Sequence, residues 1–475
     1  MKKIILIAIV TAFAFAGCSD FLTEEPELSQ STELTLSTYD GLDKSVLGTY
    51  SPLASAGWYG AAFVLDCEMR SGNGKINLDY SSGRYTTPYG LTYSSSLSSG
   101  LWGWGYLVIS EANNVLANLE GKEGNGITLQ DLDNLKAECL FLRALAHFDM
   151  VRVYAQTFAF DATGAVLGIP YVFTTDPQGA PARNTIKEVY DYVVEDLLEA
   201  ERIIAADYKR SGIADARAAV TKPVIQALLS RVYLYMGKWQ ESADYATKVI
   251  NNTTYKMWEE AEMKEVYATD IPTSGEVIFE MYGVKTNSYD AFWDSPVWMT
   301  SPSEDAYSDC ASSTDLYNLY ADGDIRKELF VSPEANPELY WTAKYIGKGH
   351  GTPDVSNTII LRLSEMYLNR AEAIVNGAVV AGVTAVSDLN EITSRRGAAA
   401  YTSAGKEDVF QERRKELAWE GHLWFDLART GRKLAREDYS GLTNKDLDYP
   451  DHRWALPIPK RELDVNPNLN PNPGY

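Results

Sequence analysis

The sequence predicts a mainly α-helical protein in which packed helical hairpins carry two long, irregular, aromatic-rich loop insertions. Three observations predict it. The stretch from Thr221 to Ile250 reads as two helices joined by a tight turn. Segments on both sides of it repeat apolar residues at spacings of three and four, the mark of a helix with one buried face. Two blocks, about 55–100 and 252–357, keep no such period and are rich in Tyr and Trp.

In the central hairpin, Val224, Leu228, Leu229, Val232, Tyr233 and Met236 form one apolar stripe. Gly237 ends that helix, because a residue without a Cβ takes the left-handed position after a helix cheaply. Ser242, Ala243, Ala246, Val249 and Ile250 form a second stripe whose small residues let two antiparallel helices approach closely. With Trp239 just after the turn, the pattern resembles a tetratricopeptide repeat. Such a unit cannot bury its apolar face alone and stacks on neighbouring hairpins. An ordinary hairpin in a helical domain fits the same residues.

Taken in order, residues 1–17 read as a signal peptide. Lys2 and Lys3 give a positive start, Ile4 to Ala16 an apolar run, and Gly17 a small residue before Cys18. Phe15-Ala16-Gly17-Cys18 resembles a bacterial lipobox, which makes Cys18 the lipidated first residue of the mature chain; the alternative is a cleaved leader with an incidental Cys. Residues 18–30 are polar and suit a tether, and 31–475 form a single domain with no linker in it. Helices are expected at Thr38–Tyr50, Leu101–Leu119, Gln130–Tyr154, Thr185–Ala206, Thr358–Asn376, Val383–Arg396 and Glu407–Thr430, with one strand at Glu276–Tyr282. Asp131 and Asp133 suit a helix start, and Thr185-Ile186-Lys187-Glu188 has the pattern of a capping box.

Charge and composition exclude several classes. The formal charge is −22, and loss of Lys2 and Lys3 makes it −24, a surface that repels phosphate backbones and excludes nucleic acid as a partner. Past Cys18 only Cys67, Cys139 and Cys310 remain, too few and too far apart for a disulfide framework or a zinc site, and Cys139 reads as core. Asp322-Gly323-Asp324 hints at calcium but lacks the later Glu of a full calcium loop, which leaves bound calcium open; no metal ligand is singled out and no cofactor is expected. There is no GxSxG, HExxH or P-loop, and the chain reads as a non-enzyme. Glu416 and Glu420 are spaced as an acid pair, but Arg413 beside them should keep both ionised. The charged stretch Arg413 to Arg429 is expected to be structural, its ion pairs exposed and contributing about 0.3–0.5 kcal/mol each. Asp324 and Arg326 should close a loop as an ion pair.

Motifs in a fixed order then carry a resemblance. They begin with Trp102-x₃-Tyr106-x₂-Ile109-x₂-Ala112-Asn113, Ala137-Glu138-x₃-Leu142-Arg143-Ala144-x₃-Phe148 and Gly168-Ile169-Pro170. Thr221-Lys222 with Arg231-Val232-Tyr233-Leu234 follows, then Arg362-Leu363-x-Glu365-x-Tyr367-Leu368-x₂-Ala371-Glu372-Ala373. Arg413-Arg414-x-Glu416-Leu417-x₂-Glu420-Gly421, Phe425-Asp426-Leu427-x-Arg429-x-Gly431 and the closing Asn466 to Tyr475 complete the series. In this order they resemble the SusD/RagB family of outer-membrane nutrient-binding lipoproteins. The resemblance implies a SusD-like superhelix of four tetratricopeptide-like hairpins, lipid-anchored at the cell surface. It also implies a partner, a SusC-like TonB-dependent outer-membrane barrel over which the protein closes as a lid on captured oligosaccharide. In the RagB branch the cargo is peptide.

Candidate binding residues lie in the two insertions. A sugar ring offers an apolar C–H face to Trp or Tyr, while its hydroxyls need polar partners. Phe292, Trp293 and Trp298 are the expected stacking platform, with Arg70, Asn73, Tyr80, Tyr85 and the helical Trp102 as further ligand contacts. Arg84, Asp79, Asp290 and Asp294 are polar neighbours, and Tyr307 and Trp341 lie in the same second block. The alternative for all these rings is a satellite core beneath the loops. Four functions stay open: glycan capture, peptide capture, a surface glycoside hydrolase, which needs two carboxylates at a set separation, and a protein-interaction scaffold.

Overall fold

The structure is a computed structural model that describes residues 32–78, 81–161, 163–176, 178–213, 215–268, 275–283, 295–302, 306–334, 336–347, 356–441 and 443–475. The leader, Cys18, Tyr80, Phe292 and Trp293 lie outside the described residues.

Eleven longer helices make the frame among the described residues: α1 Tyr39–Thr49, α2 Ala62–Ser71, α3 Leu101–Leu116, α4 Leu129–Tyr154, α5 Ile186–Ile203, α6 Lys222–Tyr235, α7 Trp239–Ile250, α8 Leu363–Val375, α9 Ala385–Thr393, α10 Lys406–Glu416 and α11 Leu423–Arg429. From α3 to α9 each helix packs on the next, a tetratricopeptide-like run. The central hairpin is as expected: Gly237 turns between α6 and α7 at φ +68°. Its small residues allow a closer link than apolar contact. Ser230 Oγ donates to the Ser242 carbonyl at 3.1 Å, and Ser242 Oγ donates to that of Ser230 at 2.9 Å. Capping boxes open α4 at Thr128 and Asp131, and α5 at Thr185 and Glu188.

Buried ion pairs join these helices. Arg143 on α4 grips Asp196 on α5 with two bonds of 2.7 Å. Arg231 on α6 holds Glu365 on α8 at 2.7 and 2.6 Å, and Arg370 on α8 holds Asp388 on α9 at 2.9 and 2.7 Å. The first and last of these follow the run directly. Arg231–Glu365 acts across the second insertion, so α8 docks on α7 although a hundred residues of chain lie between them.

Three expectations are corrected. The first insertion contains α2, whose residues are nearly all buried, so no apolar-polar period could reveal it. The expected helix Thr358–Asn376 begins as a strand: Thr358–Arg362, rich in β-branched residues, pairs antiparallel with Val277–Met281 (β2) before α8 starts. The expected helix Glu407–Thr430 is broken between α10 and α11, where Trp419 and Gly421 take φ of +63° and +78°.

That break serves a buried charge network, and here the expectation of exposed pairs fails. Glu416 accepts from Arg362 at 2.7 Å, Arg396 at 2.8 Å and Arg326 at 2.9 Å. Glu420 pairs with Arg362 at 2.7 Å and with Lys344. Arg362 also reaches Glu276 at 2.8 Å, and its guanidinium donates to the Glu416 carbonyl at 2.6 Å, a group freed by the end of α10. Arg326 meets Asp324 and Glu412, and Lys415 meets Glu412, so the cations Arg326, Lys344, Arg362, Arg396 and Lys415 face the anions Glu276, Asp324, Glu412, Glu416 and Glu420. Arg413 lies apart, on Asp426 at 2.8 Å; it is not what keeps Glu416 ionised.

Burial alone would raise the Glu416 carboxyl, but Arg396, Arg362 and Arg326 hold it well below the ordinary 4.5. A folded-state value depressed in this way adds stability above the unfolded value and loses it as pH falls toward the folded one. We expect Glu416→Gln to lower unfolding free energy at pH 7 by about 3–5 kcal/mol, since it strips one partner from buried arginines. In guanidinium titrations the variant should also show a shallower loss of stability below pH 4.5 than the parent.

Candidate functional site

The two insertions meet. Residues 74–76 (β1) and 310–312 (β3) pair antiparallel, Gly74 opposite Ser312 and Ile76 opposite Cys310. Gly72 ends α2 at φ +86°, and a Cβ there would lie 2.7 Å from the Arg436 side chain, so glycine lets the chain reverse into β1. Ser313 secures the turn, its hydroxyl donating to the Gly72 carbonyl at 2.7 Å and its amide to that of Asn73 at 2.8 Å.

Beyond β1 the pairing continues through side chains. The Asn77 amide donates to the Asp309 carbonyl at 3.1 Å. The buried Asp309 carboxylate accepts from the Ser82 amide at 2.7 Å and the Ser82 hydroxyl at 2.5 Å. This fixes the 81–85 loop against the second insertion. Arg84 then lies over the Tyr307 ring, its guanidinium carbon 3.9 Å from the centroid. Tyr307 neighbours Trp298 at 6.4 Å between centroids, and the Tyr307 and Ser308 amides both donate to the Trp298 carbonyl. Tyr85 follows at φ +56°, and Arg84, Tyr85, Trp298 and Tyr307 are each half-buried. The Asn77 carboxamide nitrogen beneath has no hydrogen-bond partner among the described residues. A second ring pair adjoins β3: Tyr317 and Tyr340 stack at 3.8 Å and 12°, and the Ser312 amide donates to the Tyr340 carbonyl.

Of the expected site residues, Trp298 stands in this cluster and Tyr85 follows Arg84 in the pinned loop. Arg70, Asn73 and Trp102 stand elsewhere. Arg70 is 2 % exposed and lies 3.9 Å over Trp424; Asn73 bridges the buried Glu68 and Arg414 at 2.8 and 3.0 Å; Trp102 is 3 % exposed against Tyr106 and Tyr154. Trp58 and Tyr59, at the start of the first insertion, are core as well and donate to Asp149 at 2.8 and 2.7 Å. Half of that insertion is therefore interior. Ser82 and Asp309 were not singled out by sequence, because a Ser–Asp contact across 227 positions leaves no local mark.

Glu416 and Glu420, spaced as an acid pair in the sequence, form no open pair. Both are spent on arginine and lysine in the interior. Asp66 is pushed up to about 6 by burial, opposed by the hydrogen bond from Tyr93 and by Arg70; its hydrogen bond is the 2.6 Å one from Tyr93. Asp322 pairs with Lys327 and Asp324 with Arg326, as the loop-closing reading required of the latter.

The helical-repeat frame thus carries a pinned patch of half-buried rings and a guanidinium where its two insertions meet. Comparison with known proteins gives it a family. Residues 20–234 match the family described as starch-binding and associating with the outer membrane, and residues 328–475 match the SusD family. The chain belongs to the SusD/RagB family. It is 25 % identical to a SusD-like protein P2 of Formosa agariphila over the whole of both chains. A crystal structure of a SusD superfamily protein from Bacteroides thetaiotaomicron shares 28 % identity at a TM-score of 0.82, over 92 % of this chain and all of that one. The starch-binding protein SusD of the same organism is 28 % identical over a stretch of 130 residues, 26 % of this chain and 23 % of that one. No described helix is long and apolar enough to cross a membrane.

Asp309→Ala should release the 81–85 loop and leave the frame intact. We expect hydrogen exchange to quicken in that loop while the helices α4 to α8 keep their protection; unchanged exchange in the loop would show that Asp309 does not pin it.

Proposed function

We propose that this protein is a cell-surface glycan-binding lipoprotein, lipidated at Cys18, that captures oligosaccharide and hands it to a SusC-like TonB-dependent outer-membrane barrel. One observation carries the reading. Two distant insertions are fastened together so that Arg84, Trp298 and Tyr307 share one half-buried surface, with Tyr85 next to Arg84 in the pinned loop. Rings held still offer area for a sugar's C–H face at small entropy loss, and a guanidinium beside them suits hydroxyls. Trp298 and Tyr85 are the ligand contacts kept from the sequence reading; Phe292, Trp293 and Tyr80 are proposed with them by their place in the same two insertions. Arg84 and Tyr307 are added. The starch-binding description of the matched family and of one relative supports the ligand class.

Binding without turnover fits the interior carboxylates, whose ion pairs leave them no role at an open cleft. Titration calorimetry across a glycan panel tests the reading. We expect Trp298→Ala, Tyr307→Ala and Arg84→Ala each to weaken the best glycan at least tenfold, about 1.4 kcal/mol, with circular dichroism unchanged. Reducing ends released beyond stoichiometry would make the protein a hydrolase. Saturation by a peptide pool but by no sugar would place it with peptide captors.

A further inference from the structure

A second concavity lies away from the meeting of the insertions, and sequence reading did not mark it. A groove of 710 Å³ runs between residues 95–100, the first turns of α3 and the Pro459–Arg461 segment. That volume is in the range of small-molecule sites. Its wall is Trp104, which is 41 % exposed, whereas its neighbour Trp102 is buried.

Glycines shape the groove around that indole. A Cβ on Gly57 would lie 2.6 and 2.8 Å from Cδ1 and Nε1 of Trp104, so the pyrrole edge rests directly on backbone. A Cβ on Gly103 would lie 2.7 Å from a terminal nitrogen of Arg461, so the guanidinium lies against the first turn of α3. The opposite rim is fastened rather than loose. The Ser98 hydroxyl donates to the Pro457 carbonyl at 2.7 Å, the Lys460 amide to that of Ser95 at 2.8 Å, and Tyr154 holds the Ser99 carbonyl at 2.8 Å. The groove is thus preformed, with one ring held at its edge, serines on its rim and a guanidinium at its end. Lys460 and Arg461 are answered by Asp464 at 2.7 Å and Glu462 at 3.0 Å, so the groove offers hydrogen-bond donors without net positive charge.

We infer that this groove is a second carbohydrate subsite, taking one or two neutral sugar rings stacked on Trp104 with hydroxyls directed to Arg461 and the serine rim. An acidic sugar would need an unanswered cation, and a protein partner would be met by a broader apolar surface than one indole and Leu107. The inference rests on the carbohydrate reading above, and its test separates the two.

Full-length protein carrying 5-fluorotryptophan would be followed by fluorine NMR, with the Trp104 and Trp298 signals assigned from Trp104→Phe and Trp298→Phe. Maltoheptaose, laminariheptaose and other neutral oligosaccharides serve as probes, with an oligouronate alongside. Saturable movement of the Trp104 signal by a neutral probe is expected, with Arg461→Ala weakening that curve at least fivefold and leaving the Trp298 curve in place. Movement of Trp298 alone overturns the second subsite and leaves the first. Movement of Trp104 by the oligouronate alone overturns the neutral-sugar assignment. Stillness of both signals with every probe overturns both readings.

Discussion

One carboxylate holds three arginines, and much of the molecule hangs on it. Glu416 sits at the end of α10, with Arg362 from the strand before α8, Arg396 from the turn after α9 and Arg326 from the second insertion gathered on its two oxygens. Desolvating so many charges is unfavourable, and an apolar cluster of equal volume could be as stable. What the charges add is direction. Each guanidinium reaches its partners only from one side, so the network is satisfied in one arrangement of helices, strands and insertion.

The constraint passes outward from there by short links. Past Glu416 the chain turns through Trp419 and Gly421, and the Gly421 amide donates to Glu68 at 2.8 Å on α2. Glu68 holds Asn73, Asn73 leads into β1, and β1 pairs with β3. Asp309, one residue before β3, fixes Ser82 and with it the surface bearing Arg84 and Tyr307. The loops that carry these rings lack regular structure, but they are tied into the buried charge network through a handful of named groups. That is how long insertions present rings without first having to order them.

Legibility in the sequence followed the locality of the signal. Capping boxes at Thr185 and the Gly237 turn were readable because their partners lie within four residues. The break between α10 and α11 was not, since its cause is an arginine some fifty residues upstream drawing on a freed carbonyl. The same alternation of charge that suggests a solvated helix face is, at Arg413 to Arg429, a row of interior pairs. Spacing reports which residues share a face and says nothing about whether that face meets water. Aromatics in the insertions were split likewise: Trp58 and Tyr59 went inside to Asp149, while Trp298 and Tyr307 stayed at the surface. Trp104 left no local mark either: the glycine that its indole rests on is Gly57, while Gly103 makes way for Arg461 and Gly105 for Met150.

Ring-lined surfaces of this kind suit capture followed by release. Stacking on an indole or a phenol is tolerant of linkage, and a single ring contact contributes little by itself. A captor that must surrender its cargo is better served by several such contacts than by one deep pocket, because each can let go separately. Two subsites on one chain, as proposed, would raise the local concentration of a long glycan at the second once the first is filled, so that a polymer would be retained where a short fragment escapes. On that proposal avidity would depend on ligand length, and a low affinity per ring is what transfer to a partner requires.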